Sequence, residues 1–170
     1  MIYIIGLIAV ILGVALDQYT KYLAITHLQE NPISIIEGVF ELRYLENRGA
    51  AFGLLQNQQT FFLIITIITL YFVTYLYVRM PKTKHYLWLR VCLLSITAGA
   101  IGNMIDRVRL RYVVDFLYFE LIDFPIFNVA DIFATVATFG LIVLLLFYYK
   151  EEDVDMLFQL LTPKGKKAEE

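Results

Sequence analysis

Four long apolar runs, separated by shorter polar segments, dominate the pattern of this sequence. They cover residues 2–23, 59–78, 86–105 and 128–149. A helix needs about 20 residues to cross the hydrocarbon core of a bilayer, and each run reaches that length. The pattern therefore predicts four transmembrane helices within a single integral membrane domain that spans residues 1–170.

The orientation of these helices follows from a basic turn between the second and third runs. Residues 79–85 contain two lysines, an arginine and a histidine. Short loops rich in lysine and arginine stay in the cytoplasm. Because the number of spans is even, both termini are predicted to be cytoplasmic, and residues 29–58 and 107–127 are predicted to lie on the outer side.

The outer segments carry two patterns typical of strands. In residues 39–45, Phe40 and Leu42 alternate with Glu41 and Arg43, which is the period of two of a strand with one apolar face. Residues 112–119 are rich in aromatic and β-branched residues. We therefore predict an all-α membrane bundle of four transmembrane helices with a small extracytoplasmic β-sheet. The tail, residues 151–170, is predicted to be frayed or interfacial.

The composition agrees with a membrane protein and gives no reason to expect a nucleic-acid-binding or disulfide-bonded protein. The chain is 59% hydrophobic, its mean hydropathy is +0.67, and soluble domains are nearer half apolar. A net charge of -2 gives no reason to expect a nucleic-acid partner. The single cysteine, Cys92, cannot form an internal disulfide, and it is interpreted as a small buried residue.

Polar residues accumulate at one predicted membrane face. In the topology above, the outer ends of the first, third and fourth helices and the two outer segments deliver them there, whereas the inner face receives mainly lysines, arginines and aromatics. The positions of interest are Asp17, Lys21, Asn47, Gly49, Asn103, Asp106, Arg107, Asp115, Asn128 and Asp131. Ionisable groups at membrane depth are costly, which favours a functional role for them.

Several of these residues also have structural interpretations. Asp17 and Lys21 have the i, i+4 spacing of a pair on a helix surface, with Lys21 reaching towards the interface. Asn103 could bind a neighbouring helix. Asn128 is a suitable N-cap, and Asp131 three residues later suits the positive end of a helix.

The remaining positions leave similar alternatives open. Asp106 and Arg107 could mark only the membrane boundary, and Gly99 and Gly102 could let two helices approach closely. Asp115 is harder to explain in this way, because it interrupts an apolar strand-like run and has no cation near it in sequence.

Asp115 and Asp131 suggest an acid–base mechanism of hydrolysis if their side chains face each other. If Asp115 and Asp131 lie close together, they cannot both ionise cheaply, so one proton can serve both. The ionised carboxylate then accepts a proton from water while the protonated one donates to a carbonyl oxygen, as in aspartic proteases. This chemistry needs neither a metal ion nor a cofactor, and none is expected.

Other functions remain open at this point. Intramembrane aspartates beside a lysine and an arginine also suit an ion-coupled transporter. Against that interpretation, four spans is a small number, no inverted repeat is visible, and spans two and four carry few polar residues. A structural or assembly subunit is a third possibility.

Five motifs together make the pattern more specific, and they cover the chain from the first span to the fourth. They are Asp17-Gln18-Tyr19-Thr20-Lys21, Asn47-Arg48-Gly49-Ala50-Ala51-Phe52, Gly102-Asn103-Met104-Ile105-Asp106-Arg107, Val113-Val114-Asp115-Phe116 and Phe127-Asn128-Val129-Ala130-Asp131. In these motifs the chain resembles the lipoprotein signal peptidases, the type II signal peptidases of bacteria.

The resemblance implies a fold, a reaction and a set of roles. It implies Asp115 and Asp131 as the catalytic pair of an aspartyl endopeptidase in the bacterial cytoplasmic membrane, with the active site near the outer face. Substrates would be diacylglyceryl prolipoproteins, cut just before the lipidated cysteine, and globomycin would inhibit. Membrane lipids are further partners, and we expect a monomer. The positions implied to support the site or contact ligand are Asp17, Lys21, Asn47, Gly49, Asn103, Asp106, Arg107 and Asn128.

Two positions depart from the family pattern. Ala98 stands where a glycine often precedes Gly99, and Ile132 follows Asp131 where a small residue is common. We expect both changes to alter helix packing or pocket width, and neither removes a predicted catalytic group.

Overall fold

Long helices and one small sheet make up the fold. The computed structural model describes residues 1–49 and 58–161. The helices are α1 (Ile2–His27), α2 (Gln59–Arg79), α3 (Leu87–Arg109), α4 (Val129–Val143) and α5 (Glu151–Leu161). The strands are β1 (Ile33–Ile36), β2 (Phe40–Asn47) and β3 (Val113–Tyr118). Short 3₁₀ turns at Lys84–Tyr86 and Glu120–Ile122 and a π-helical turn at Leu144–Tyr148 complete the described elements.

Four helical segments are long and apolar enough to cross a membrane. They are Ile2–His27, Gln59–Arg79, Lys84–Arg109 and Val129–Tyr148. The predicted fold class, four transmembrane helices with a small sheet, is confirmed by these segments and by the three strands. α3 is central, because it packs against α1, α2 and α4.

The sheet is antiparallel, with the strand order β1–β2–β3. Leu42 pairs with Leu117, and Leu45 pairs with Asp115. The predicted alternation in β2 is confirmed where Arg43 binds Glu41 on the same face of the strand, with Nε 2.8 Å from Oε1. Strand β1 was not predicted from the sequence.

A small apolar cluster joins the sheet to the bundle. Ala24 and Leu28 at the end of α1 pack against Val114 and Phe116 of β3. This contact holds β3, and with it Asp115, above the end of α1.

The opposite end of the bundle has its own core. The guanidinium of Arg90 donates hydrogen bonds to the carbonyl oxygens of Tyr77, Met80 and Pro81, at 2.8 to 3.1 Å. It therefore satisfies carbonyls that the end of α2 leaves without partners. Residues 151–161 form α5 instead of a frayed segment; α5 packs on α2 and buries Leu157.

Candidate active site

A buried network of polar side chains lies where the ends of α1, α3 and α4 meet β3. Its first part is an ion cluster around Lys21, whose Nζ lies 3.0 Å from Asp17 Oδ2 and 2.9 Å from Asp106 Oδ2. Lys21 and Asp17 are 2% and 0% exposed. The interpretation of these two residues as a surface pair with Lys21 at the interface is therefore wrong, because α3 covers them and supplies Asp106.

The two aspartates of this cluster also fix backbone groups. Asp17 Oδ1 accepts a hydrogen bond from the Ala130 amide at 2.9 Å, and Asp106 Oδ2 accepts one from Val114 at 3.1 Å. Ala130 precedes Asp131, and Val114 precedes Asp115. The cluster thus holds the backbone next to both predicted catalytic residues, and Asp106 does more than mark a membrane boundary.

Asn103 connects the ion cluster to Asp131. Its Oδ1 accepts from Lys21 Nζ at 2.9 Å, and its Nδ2 donates to Asp131 Oδ1 at 2.7 Å. It therefore binds across helices, as the packing interpretation predicted, and it also orients one carboxylate.

Asn128 connects the two aspartates to each other. Its Nδ2 donates to Asp115 Oδ1 at 2.6 Å, and its Oδ1 accepts from the Asp131 amide at 3.0 Å. Asp131 Oδ2 in turn accepts from the Asn128 amide at 3.2 Å, which completes a capping box at the start of α4. The predicted N-cap is therefore present, and the same residues also approach Asp115.

Asp115 has a second amide donor. Asn47 Nδ2 donates to Asp115 Oδ2 at 2.8 Å, and Asn47 Oδ1 accepts from the Gly49 amide at 3.0 Å. Burial, and after it the nearby charge of Asp131, raise the pKa of Asp115 to about 7, against the opposing effect of the hydrogen bonds from Asn47 and Asn128. Asp115 can therefore hold a proton near neutral pH.

Both aspartates line the same cavity, which has a volume of about 290 Å³. Its wall combines a polar side with an apolar one. The lining residues are Asn47, Gly49, Arg107, Asp115, Phe124, Pro125, Ile126, Phe127, Asp131 and Thr135.

Arg107 brings a positive charge to this cavity. Its guanidinium lies 4.8 Å from the centre of the Phe62 ring. Across residues 1–49 and 58–161, Arg107 forms no ion pair within 4.0 Å, and its buried Nε has no hydrogen-bond partner. A guanidinium in this position is available to bind an oxygen of a ligand.

The comparisons with known proteins agree with this geometry. Residues 9–147 match the family model described as signal peptidase (SPase) II. The chain belongs to the signal peptidase II family. Since its members are proteases and four apolar helices are present, it is a multi-pass membrane protease.

Individual relatives support this membership. The chain is 43% identical over 147 residues to a lipoprotein signal peptidase of Streptococcus pyogenes serotype M1, covering 86% of this chain and 93% of the relative. A lipoprotein signal peptidase of Streptococcus pyogenes serotype M5 (strain Manfredo) is 42% identical over the same shares of the two chains.

Solved structures show the same fold. A bacterial membrane enzyme determined by the in meso method at 2.3 Å resolution is 35% identical, with a TM-score of 0.77 over 86% of this chain and 92% of that one. A second, at 1.9 Å resolution, is 35% identical, with a TM-score of 0.75 over 85% and 94%.

The predicted site residues fall into two groups in this signal peptidase II fold. Asn47, Gly49, Arg107, Asp115 and Asp131 line the cavity. Asp17, Lys21, Asn103, Asp106 and Asn128 form the network behind it. The rest of the second motif, residues 50–52, lies outside the described residues.

Sequence reasoning missed two polar residues at the site. Gln18 Nε2 donates to Asp106 Oδ1 at 2.9 Å and to the carbonyl of Gly102 at 3.2 Å, which ties α1 to α3. Thr135 lines the cavity one helical turn after Asp131. The i, i+4 spacing from Asp131 is the signal that would have found Thr135.

The two departures from the family pattern also have structural positions. Ala98 is buried against Gly13 of α1, where a Cβ on Gly13 would come 3.0 Å from the Ala98 Cβ. The missing side chain of Gly13 therefore makes room for Ala98. Ile132 is 39% exposed and does not line the cavity.

Proposed function

We propose that this protease is an aspartyl endopeptidase that removes the signal peptide from diacylglyceryl prolipoproteins by cutting immediately before the lipidated cysteine. Asp115 and Asp131 are its catalytic pair. The observation that carries the proposal is that both carboxyl groups line one cavity while Asn128 binds Asp115 directly and caps the helix that bears Asp131. The substrate class follows from the lipoprotein signal peptidases to which the chain is similar.

The mechanism uses one proton shared by the pair. Protonated Asp115 donates a hydrogen bond to the carbonyl oxygen of the scissile peptide, while the Asp131 carboxylate accepts a proton from water, which then attacks the carbonyl carbon. As the tetrahedral intermediate collapses, the proton on Asp131 passes to the leaving amine, and Asp115 recovers its own. Arg107, whose guanidinium has no ion-pair partner within the described residues, stabilises negative charge that develops on oxygen.

The distribution of buried polar groups supports hydrolysis over ion transport. Within the described residues, all buried polar side chains except Arg90 belong to the end of the molecule that carries the sheet or to the sheet itself. They are Asp17, Lys21, Glu41, Gln59, Asp106, Asp115 and Asn128. A transporter needs polar groups along the depth of a pathway.

The site is proposed to lie near the outer face of the bacterial cytoplasmic membrane, with both termini in the cytoplasm. A lipidated substrate keeps its acyl chains among the lipids, so a cavity at the end of the bundle can receive the peptide next to the lipidated cysteine. Globomycin is proposed as an inhibitor.

The test is cleavage of a purified diacylated prolipoprotein by the purified protein. We expect Asp115→Asn and Asp131→Asn each to lower kcat by about 10²- to 10⁴-fold, because each removes a group that transfers a proton. The measurement is the rate of signal-peptide release, with and without globomycin, and with a substrate that lacks the diacylglyceryl group.

Asp123→Asn is the matched control for these variants. Asp123 does not line the cavity. Its φ of 47° suits asparagine as well as aspartate. Its Oδ1 accepts a hydrogen bond from the Tyr118 hydroxyl, and the amide oxygen of asparagine can accept the same bond. We expect native rates from this variant. Full processing by Asp115→Asn or Asp131→Asn would contradict the catalytic pair.

A further inference from the structure

The segment that joins β3 to α4 runs alongside β3 in the antiparallel direction. Phe127 makes the contact: its amide donates to the Leu117 carbonyl at 3.0 Å, and its carbonyl accepts from the amides of Phe116 and Leu117 at 3.0 and 2.9 Å. Leu117 and Phe127 form an antiparallel bridge. The segment therefore extends the sheet beyond β3 by one short, strand-like piece.

The residue before Phe127, Ile126, has backbone groups without partners in the described part of the chain. In an extended chain, the N–H and C=O of one residue point to the same edge of the strand. Those of the next residue point to the opposite edge. Because Phe127 points both groups towards β3, an extended Ile126 points its own away from the sheet. Ile126 has no hydrogen-bond partner among residues 1–49 and 58–161. The preceding Pro125 has no N–H that needs one.

This free edge borders the catalytic cavity. Pro125, Ile126 and Phe127 line the cavity together with Asp115 and Asp131. A free strand edge is a template for another extended chain, which gains affinity from main-chain hydrogen bonds. A peptide with its scissile bond between the two carboxyl groups has to pass this edge.

We propose that Ile126 binds the backbone of the substrate as an added strand and thereby positions the scissile peptide between Asp115 and Asp131. The proposal rests on the proposed protease function. The N–H and C=O of Ile126 pair with the C=O and N–H of one substrate residue close to the cleaved bond. Since these bonds involve no side chain, this part of recognition is independent of the substrate's sequence.

A scan of the substrate backbone tests this pairing. Synthetic diacylated prolipoprotein peptides are prepared in which one amide at a time, within four residues on either side of the scissile bond, is replaced by an ester. An ester removes one N–H and weakens the adjoining carbonyl acceptor. We expect KM to rise by about three- to tenfold when the ester removes the N–H of the substrate residue that pairs with Ile126. A smaller rise is expected when the next ester along the chain weakens the carbonyl of that same residue, and no rise when the ester precedes it.

The matching change in the enzyme removes the N–H of Ile126. Nonsense suppression with the α-hydroxy acid analogue of isoleucine makes this substitution without altering the side chain. We expect KM to rise by about three- to tenfold while kcat stays within about a factor of two, because the bond binds the peptide and takes no part in proton transfer.

The same replacement at Ile35 is the control. Ile35 lies at the bulge of β1, at the far edge of the sheet, and it does not line the cavity. Its ester variant reports how a backbone ester affects the sheet in general, and we expect native KM and kcat from it.

The outcomes separate this inference from the function on which it rests. If the native protein does not cleave the all-amide substrate, the proposed function fails. If it cleaves that substrate but the ester scan is flat, or KM rises equally at every position, strand pairing is overturned. An Ile126 ester variant with native KM overturns it as well.

Discussion

At the scale of single residues, the proposed mechanism gives different parts to two carboxyl groups. Both oxygens of Asp115 accept hydrogen bonds from asparagine side chains, whereas Asp131 accepts from the Asn103 side chain and from the backbone amide of Asn128, the N-cap of its own helix. The two side chains have the same chemistry, so their surroundings have to assign the acid and the base.

The proton on Asp115 should make the activity depend on pH. The proposed mechanism needs protonated Asp115, and its pKa is raised to about 7. Below that pH the proton is present, and above it the proton is lost, so we expect kcat/KM to fall as the pH rises through about 7. The measurement is a profile of kcat/KM between about pH 5 and pH 9.

The variant Asn47→Ala checks that the falling limb belongs to Asp115. The hydrogen bond from Asn47 lowers the pKa of Asp115, so its loss should move the limb to higher pH. A limb that rises with pH through this range would assign Asp115 as the base instead.

A second prediction concerns the ion cluster. Lys21→Met keeps the length of the side chain but leaves Asp17 and Asp106 buried without their cation. We expect the free energy of unfolding to fall by about 3–5 kcal/mol, measured by denaturation in detergent. Lys82→Met, at an exposed lysine, should change stability by about 0.5 kcal/mol or less. Equal stability of the two variants would contradict a stabilising role for the cluster.

The sequence allowed part of this site to be predicted for a physical reason. Charged residues next to apolar runs are conspicuous, and the topology of four spans brings Asp17, Asp115 and Asp131 to one face. Gln18 and Thr135 carry no charge and are therefore less conspicuous, and only the i, i+4 spacing from Asp131 marks Thr135 as a residue on the same side of the helix. The asparagines were recognised as motif positions, but their hydrogen-bond partners depend on the packing of three helices.

At the scale of secondary-structure elements, α3 and α4 approach each other closely beside the proposed catalytic pair. A Cβ on Gly99 would collide with the backbone carbonyl of Ala130, and a Cβ on Gly102 would meet the carboxylate of Asp17. Glycine is therefore required here for close approach, which agrees with the packing interpretation of both residues.

Gly99→Ala should consequently disturb the site. We expect it to push the first turn of α4 away from α3, to reduce stability by about 1–3 kcal/mol and to lower kcat by displacing Asp131. The measurements are denaturation in detergent and the rate of substrate cleavage.

Gly140→Ala makes the same chemical change further along α4. There the added Cβ meets only the side-chain sulfur of Cys92, at 3.3 Å, which needs a shift of a few tenths of an ångström. We expect a small loss of stability and native kcat. Equal kcat in the Gly99→Ala and Gly140→Ala variants would argue against the role of helix approach in catalysis.

Some secondary-structure elements could be predicted from the sequence, and others could not. The four spans were predictable because hydrophobic length alone selects a transmembrane helix, although α1 and α3 continue to His27 and Arg109, about one turn beyond the predicted ends. β1 was missed because its four residues, Ile33–Ile36, are all exposed and show no alternation of burial. α5 was missed because its first turn is strongly acidic and the apolar residue that it buries, Leu157, packs on another element.

At the scale of the whole molecule, the two ends of the bundle carry different kinds of residues and contacts. One end holds the buried ions, the sheet and the cavity. The other end holds the basic turn, the carbonyls bound by Arg90 and the aromatic contacts of His85 with Tyr86, Tyr148 and Tyr149. The proposed topology places the first end outside and the second in the cytoplasm.

Labelling of single cysteines tests this topology. In a Cys92→Ala background, we expect Glu37→Cys, on the turn between β1 and β2, to react with a membrane-impermeant maleimide in intact cells. Lys84→Cys, on the basic turn, should react only after the membrane is permeabilised. Both positions are exposed, so accessibility to solvent does not distinguish them. Equal labelling in intact cells would contradict the proposed orientation.

The bonds of Asn128 have a consequence for how the protein keeps its chemistry under control. The same side chain caps α4 and holds Asp115. If the start of α4 unwinds, the capping box opens, and Asp131 and Asp115 lose their common anchor together. In the proposed mechanism, completion of this helical turn and alignment of the two carboxyl groups are therefore a single event, and a molecule whose α4 has not closed its first turn lacks an aligned pair.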